Sequence, residues 1–383
     1  MGDICVSVII PVYNAERHLE ECLNSCLKQT LREIEIICVN DGSTDNTGTI
    51  LERYSDQYPN IIIMNQENQG AGAARNLGMR FARGEFISFM DSDDFYPNQE
   101  ALWKLYTSAI EKKVYVCGGT AFFMNDGKVD ENDTALSFSE AAILHFRENQ
   151  RIGGFTRFIY DRQFLLEEKI QFPTWRWYED PPFFAEVMAK AERLYAIRDL
   201  VYVIRNTDKI VQFHNDDIVI GILNGIGSML RISRENRFAM LHADRVVDLN
   251  ENFAACIYER IYHRRTHIRE CYERVITGID ESLLEEDIRK LKKPEAPSEG
   301  EIAQIFEDSL KREQALLDKV NLYEKVLIYG AGRAGRLLYQ YLRQRGCKKD
   351  IDFMITAKHS DYTACGKKVY SIQECTDEKD RAL

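Results

Sequence analysis

The sequence lacks a C-x-x-C pair, although ten cysteines are spread along its 383 residues. Several of them fall at apolar-periodic positions, and they read as reduced core residues of a cytoplasmic protein. No basic stretch runs into an apolar one near Met1, so a secretory leader is not expected. The most apolar segment, Ile218 to Leu230, is too short and too glycine-interrupted to span a bilayer. Internal repeats and low-complexity tracts are absent. Excess positive charge is absent too: the formal net charge of −11 argues against a nucleic-acid partner. The same acidity means that a phosphate-bearing ligand would need a metal or local basic groups beside it.

What is present is ordinary for a soluble globular chain, with 45% apolar and 29% charged residues. The length suggests two to three domains at roughly 150 residues each. Short continuous apolar runs at Val6–Ile10, Ile36–Val39, Ile61–Met64 and Phe86–Met90 suit strands buried on both faces. Between them the apolar period changes. Leu19, Cys22, Leu23, Cys26 and Leu27 step along one helix face, as do Ile50, Leu51 and Tyr54, and then Ala74, Leu77 and Phe81. The resulting βαβαβαβ order predicts a parallel sheet covered by helices. Ligands of such sheets bind beyond the carboxyl ends of the strands. Those ends carry Pro11-Val12-Tyr13-Asn14, Asn40-Asp41-Gly42-Ser43, Asn65 to Gly70, and Asp91-Ser92-Asp93-Asp94.

The last of these raises a physical question. Residues 86–97, FISFMDSDDFYP, drive an apolar strand into three carboxylates. Close like charges repel, and desolvation raises their pKa. A solvated turn would tolerate them, and so would a divalent cation.

Farther along, Leu102–Ala109 predicts a helix, Val114–Cys117 and Ala121–Met124 two strands, Phe184–Ala191 a helix, and Leu194–Ile204 one or two strands. Residues 216–320 turn helical, over Ile218–Ile232, Phe238–Arg264, Leu283–Leu291 and Ile302–Val320. The linker KKPEAPSEG (292–300) precedes the last of these. KVLIY (325–329) opens a separate unit.

VSVIIPVYNAERHLEECLNSCLKQT, VNDGSTDNT, NQGAGAARNLG and FMDSDD, in that order, resemble the N-terminal half of family 2 glycosyltransferases, closely over residues 4–100 and loosely over 100–215. The resemblance implies an α/β GT-A fold, Rossmann-like with a mostly parallel sheet, over residues 1–215. A helical region (216–320) and a partial Rossmann-like α/β unit (321–383) would follow. It implies a UDP-sugar donor and Mn2+ or Mg2+, hard cations that take carboxylate oxygens and bridge to phosphates. On that resemblance Asp91 faces the ribose and Asp93 reaches the metal, with Ser92 between them. Asp94 is either a third acidic member or a turn cap. Asp41 accepts from the base, and Pro11, Tyr13 and Asn14 line the nucleoside pocket. Asn68, Gly70, Arg75 and Asn76 lie beside the nucleoside and diphosphate. For Arg75 a salt bridge to Asp41 or Asp91 is the alternative. Residues 70–75 read less well as a phosphate cradle, since a P-loop lysine is missing.

An inverting transfer needs a base for the acceptor hydroxyl. The family's acidic pair matches Glu179-Asp180, with Asp180 as base and Glu179 orienting it. The alternative for Asp180 is a helix cap before Pro181. Trp175, Trp177 and Tyr178 read as an acceptor subsite or as core. Arg205 and His214 match basic residues that relatives set against the diphosphate or metal. The basic run 258–275 reads as a solvated helix face, or as a peripheral contact at the inner membrane face, a surface for anionic lipid or a lipid-linked diphosphate acceptor. Gly330, Gly332 and Gly335 form a G-x-G-x-x-G, but the following strand ends without an acidic ribose ligand. The resemblance thus implies a glycosyltransferase acting on a glycan or lipid-linked acceptor in bacterial surface-polysaccharide synthesis. A non-catalytic nucleotide-sugar sensor on the same fold is the alternative. A nucleotidyltransferase would place a basic glycine-rich loop where this chain has PVYNAE.

Overall fold

The computed structural model describes residues 3–285 except 126, 132, 152, 207–214 and 264, and beyond them short stretches that include 314–320, 325–329, 350–355 and 367–371. The chain divides into two compact units. One comprises residues 1–123, 129–205 and 213–296; the other comprises 124–128, 206–212 and 297–383.

The larger unit begins as the periodicity predicts: β1 (Val6–Val12), α1 (Leu19–Leu27), β2 (Ile34–Asn40), α2 (Thr47–Gln57), β3 (Ile61–Asn65), α3 (Ala71–Phe81) and β4 (Phe86–Phe89). α4 (Ala101–Lys112), β5 (Val116–Asn125), β6 (Lys128–Asp130), β7 (Ala142–His145), α5 (Phe146–Asn149), β8 (Phe158–Asp161), α6 (Arg162–Glu167), α7 (Asp180–Ala191) and β9 (Arg193–Arg205) follow. They build a nine-stranded sheet ordered β3-β2-β1-β4-β8-β5-β9-β7, with β6 on β5. Pairing is parallel through β3, β2, β1 and β4, and antiparallel from β4 to β8, β8 to β5 and β7 to β9. The parallel half carries the motifs.

Alternate residues of the apolar runs enter opposite layers. Val8 and Ile10 of β1 join a core with Leu23, Leu51 and Leu102, whereas Ile9 joins Phe89, Phe172, Phe183 and Met229 on the other face. This double burial is why the runs are continuous rather than alternating. Each fully buried phenylalanine contributes about 1.5–3 kcal/mol by leaving water. Pro11 sits in a central strand because β4 pairs with β1 only as far as Ile9–Phe89. Its missing N–H therefore falls beyond that ladder.

Two sequence expectations are corrected. Val114–Cys117 and Ala121–Met124 are not two strands; β5 runs through Gly118-Gly119-Thr120. The glycines are packing sites, not breaks. A Cβ at Gly118 would lie 2.1 Å from the Phe158 ring, and one at Gly119 2.6 Å from Val201. Nor is 238–264 one helix. α8 (Asp216–Asn236) and α9 (Ala239–Val247) are followed by a π turn, Asp248–Asn252, before α10 (Ala254–Tyr262) and α11 (Thr266–Ile276). The Phe253 N–H reaches back to the Asp248 carbonyl at 2.9 Å, which sets the wider turn.

α8 packs on α7, α9 and α11. In the basic run, Arg260, Arg265 and His267 converge on Asp216 at 3.5, 3.3 and 3.5 Å. Much of that charge is thus spent on one carboxylate at the start of α8. Among the described residues no helix is long and apolar enough to cross a membrane.

In the smaller unit, β10 (Lys325–Tyr329), β11 (Asp350–Ile355), β12 (Thr363–Ala364) and β13 (Lys367–Ser371) form a sheet ordered β10-β11-β13-β12. The first two pairings are parallel, as a Rossmann-like unit requires. Gly330, Gly332 and Gly335 lie outside the described residues.

Candidate active site

The strand-end motifs meet at one edge of the sheet. Asn14 has a left-handed backbone (φ 47°). Its N–H donates to Ser43 Oγ at 3.0 Å, and its Oδ1 accepts from the Thr44 N–H at 2.8 Å. Asn14 and Ser43 thereby tie the first two loops together. Tyr13 beside them stays 48% exposed, an aromatic face presented to solvent at this edge.

Asp41 is buried and organises the third loop. Oδ1 accepts from Gln66 Nε2 at 2.6 Å and the Gln69 N–H at 2.8 Å, and Oδ2 from the Gly70 N–H at 2.8 Å. A carboxylate has about four lone-pair sites, so one remains. Gly70 needs its positive φ of 94°. Asn68 lies against Gly42, and its carbonyl accepts from Arg176 Nη2 at 3.2 Å.

The GAGAARN stretch is a clamp, not a phosphate cradle. A Cβ at Gly72 would come 2.5 Å from the Pro173 carbonyl and 3.1 Å from Glu179 Cγ, so α3 approaches residues 172–179 closely. Asn76 exchanges two hydrogen bonds with the Phe172 backbone, at 2.7 and 2.8 Å. Arg75 donates from Nη1 to Glu179 Oε1 and from Nη2 to Asp91 Oδ1, both at 2.8 Å. Its guanidinium lies over the rings of Phe155 and Phe172, 4.8 and 5.1 Å from their centroids. Of the two salt-bridge partners considered from sequence, Asp91 is the one found; Glu179 is an addition.

The acidic turn after β4 is divided in function. Asp94 turns inward, accepting from the Tyr202 hydroxyl at 2.9 Å and the Arg205 N–H at 2.7 Å. Burial, with Asp91 and Asp93 adding to it, pushes its carboxyl up. Tyr202 also accepts from the Asp91 N–H at 3.0 Å, fixing the turn from β9. Arg205 Nε donates to the Asp93 carbonyl at 2.9 Å, and Nη2 reaches Glu21. Arg205 therefore grips the turn itself. Asp91, Ser92 and Asp93 remain partly exposed at the edge. No cluster of three or more metal-binding side chains occurs among the described residues. Two carboxylates at an open strand end still fit Mg2+ or Mn2+, which commonly take one or two carboxylates plus phosphate oxygens and water. His214 lies outside the described residues.

Sequence reasoning overlooked His18, which precedes α1. Burial lowers its pKa, as does nearby Arg205, against the pull of Asp93. It also overlooked Tyr202, whose role depends on a partner 108 residues away.

Glu179 and Asp180 open α7, with prolines in its first turn. Asp180 is both the first residue of α7 and a neighbour of Glu179 and Arg75. Loss of hydration pushes its carboxyl up to about 7; the Glu179 charge adds to the rise and Arg75 opposes it. The pair is seated from below by α8. A Cβ at Gly221 would lie 2.5 Å from the Trp177 carbonyl, and one at Gly225 2.5 Å from the Tyr178 ring. Tyr178 has a positive φ of 65° and stands edge-on to Phe253, while Trp177 is 41% exposed.

Known proteins resemble this chain in sequence and in fold. Residues 7–171 match the family model described as Glycosyl transferase family 2. EpsH of Bacillus subtilis (strain 168), named as a glycosyltransferase, is 36% identical over 172 residues, 44% of this chain and 50% of its own. The poly(ribitol-phosphate) beta-glucosyltransferase of Bacillus spizizenii is 32% identical over 207 residues, 51% of this chain and 31% of its own. This chain thus spans half or less of these curated relatives. Among solved structures, Staphylococcus aureus TarS 1-349 in complex with UDP-GlcNAc superposes with a TM-score of 0.58 at 24% identity, covering 73% of this chain and 82% of that one. That likeness carries the fold. Over residues 7–171, this chain is thus similar to glycosyl transferase family 2.

Proposed function

We propose that the chain is a metal-dependent, inverting glycosyltransferase. It moves a hexosyl or N-acetylhexosaminyl group from a UDP-sugar to a glycan or lipid-linked acceptor in bacterial cell-surface polysaccharide synthesis. One observation carries this reading: the buried Arg75 fork binds Asp91 at the donor edge and Glu179 beside Asp180 at once. Donor groups and a proton acceptor are thereby held in one rigid site. The names of the relatives and the UDP-GlcNAc bound to TarS support the substrate class.

In the proposed step Asp180 takes the proton of the acceptor hydroxyl. That oxygen bonds to the anomeric carbon as the bond from this carbon to the diphosphate oxygen breaks. The electron pair leaves with UDP. A base with a pKa near the working pH serves such a transfer best, and Asp180, at about 7, meets that demand. Asp41 and the exposed Tyr13 would receive the base, with Pro11, Asn14 and Asn68 around the nucleoside. Asp91, through its second oxygen, and Asp93 would hold Mn2+ or Mg2+. When bound, the ion offsets the negative charge gathering on the departing diphosphate.

The test is release of nucleoside diphosphate from a panel of UDP-, GDP- and dTDP-sugars in Mn2+ or EDTA. Turnover of one UDP-sugar is expected, lost in EDTA and in Asp93→Ala. Asp180→Asn should reduce it about 100-fold or more. Failure to bind any donor would overturn the reading. Metal-dependent binding in which Asp180→Asn changes no rate would favour the non-catalytic sensor.

A further inference from the structure

Behind Asp180 lies a cavity of about 160 Å³ that the donor motifs do not use. Its lining includes Asp180, Tyr178, Arg245 and Asp248, with the rings of Phe155 and Phe184. Arg245 and Asp248 come from α9 and the π turn, outside the residues that match the family model.

The charges there are arranged to exclude a like charge. Arg245 Nη2 is 3.1 Å from Asp248 Oδ2, and both side chains are largely buried. Asp248 Oδ1 accepts from Asn252 Nδ2 at 2.6 Å, and the Tyr178 hydroxyl faces Oδ2 at 3.5 Å. Beyond the lining, the charges that act on Asp180 are Glu179 and Asp91, which raise its pKa, and Arg75, which opposes them and is already shared between those two carboxylates. With Arg245 matched by Asp248, an ionised Asp180 leaves the cavity net negative. A phosphate or carboxylate entering it would meet repulsion, and the lining offers no cation besides the matched Arg245. An apolar ligand would take water from the Asp180 carboxylate and the Arg245–Asp248 pair and offer them no hydrogen bonds in return. An uncharged, hydroxyl-rich ligand offers donors and acceptors to both members of the pair, and its C–H faces to the rings. The size limits the occupant to part of one unit, since a cavity of about 150 Å³ holds a benzene-sized body.

We infer that this cavity seats part of one uncharged polyol unit of the acceptor, a single sugar ring or short alditol, and that Arg245 and Asp248 are its specificity-determining residues. The inference rests on the transferase reading above. It assigns the selection of the acceptor to the helical segment after the sheet, and it places any phosphate or carboxylate of the acceptor outside the cavity.

The test uses the full chain with UDP and Mn2+. Methyl glucoside, methyl N-acetylglucosaminide and ribitol are titrated calorimetrically, each against its phosphorylated counterpart: glucose 6-phosphate, N-acetylglucosamine 6-phosphate and ribitol 5-phosphate. At least one uncharged probe is expected to bind at least tenfold tighter than its counterpart. Asp248→Asn, close in shape, should narrow that ratio by strengthening the phosphorylated probe, with a thermal melt as the control for folding. If Asp248→Asn does not fold, the wild-type ratio decides alone. A wild-type ratio of one or less overturns the assignment, as does a ratio unchanged in a folded Asp248→Asn. So does UDP binding with no uncharged probe captured, and all three leave the transferase reading standing. Absence of UDP binding instead fails the transferase reading and takes this inference with it.

Discussion

Nη1 of Arg75 meets Oε1 of Glu179 at 2.8 Å across 104 residues of sequence. Nη2 of the same guanidinium holds Asp91 at the same distance. The planar fork spans the two carboxylates in a way that a point charge cannot. The rings of Phe155 and Phe172 lie against the guanidinium, which is buried together with Glu179.

Replacing Arg75 therefore tests the whole arrangement. Arg75→Met should leave the buried Glu179 carboxylate unpaired and cost about 3–5 kcal/mol in denaturant unfolding. Arg75→Lys keeps the charge but can hold only one carboxylate well. It is expected to fold with a lower Tm and to lose roughly tenfold or more in kcat, because Asp180 and the donor lose their common anchor.

The pKa of Asp180, at about 7, makes two predictions of opposite sign. As base it works ionised, so kcat/KM should rise with pH through about 7 and then level. Stability moves the other way. The folded-state value lies above the unfolded value of about 3.9, so the folded chain holds more protons between the two. This group's contribution is fully present below about 4 and is lost as pH rises through about 7. Asp180→Asn should therefore melt higher than wild type at pH 8 while being nearly inactive. Melts at pH 5 and 8, set beside a pH–rate profile, check both signs.

Gly225→Ala should be costly despite alanine's better helix propensity. The new methyl would meet the Tyr178 ring at 2.5 Å and its carbonyl at 2.9 Å. Overpacking of this kind costs about 1–3 kcal/mol. Because the displaced residue adjoins Glu179, kcat should fall by more than UDP affinity does. Gly48→Ala, where a Cβ meets nothing within 4 Å, is the control.

Tyr202→Phe removes one hydroxyl that serves both Asp94 and the Asp91 N–H. Loss of the Asp94 partner should cost about 1–3 kcal/mol. The loosened turn should weaken Mn2+-dependent UDP binding, measured by calorimetry, more than binding in EDTA.

Much of the sheet was legible because strands buried on both faces write themselves as unbroken apolar runs. VSVII, IICV and IIIM all became strands, and FISFM did so up to Phe89. Glycine misled where it served packing: Gly118 and Gly119 read as a break in what is one strand. The division at 238–264 was hidden because a π turn differs from α by one hydrogen-bond register, which periodicity cannot resolve. The strand-end residues were found because four motifs announce them in order. Their partners were not. Arg75 with Glu179 and Tyr202 with Asp94 depend on chain crossings that no local pattern records, as does the placing of Tyr178 against the local Arg245–Asp248 pair.

The two glycines of α8 also bear on how such chains can be recombined. Residues 1–205 supply every strand of the large sheet and every donor motif. Yet Trp177 and Tyr178 rest on Gly221 and Gly225, about one helical turn apart. A chimera that joined residues 1–205 to another protein's helices would inherit the donor site intact. It would need small residues at those two places before the acidic pair could settle into register. Acceptor range is thus exchangeable only with segments that present the same notch.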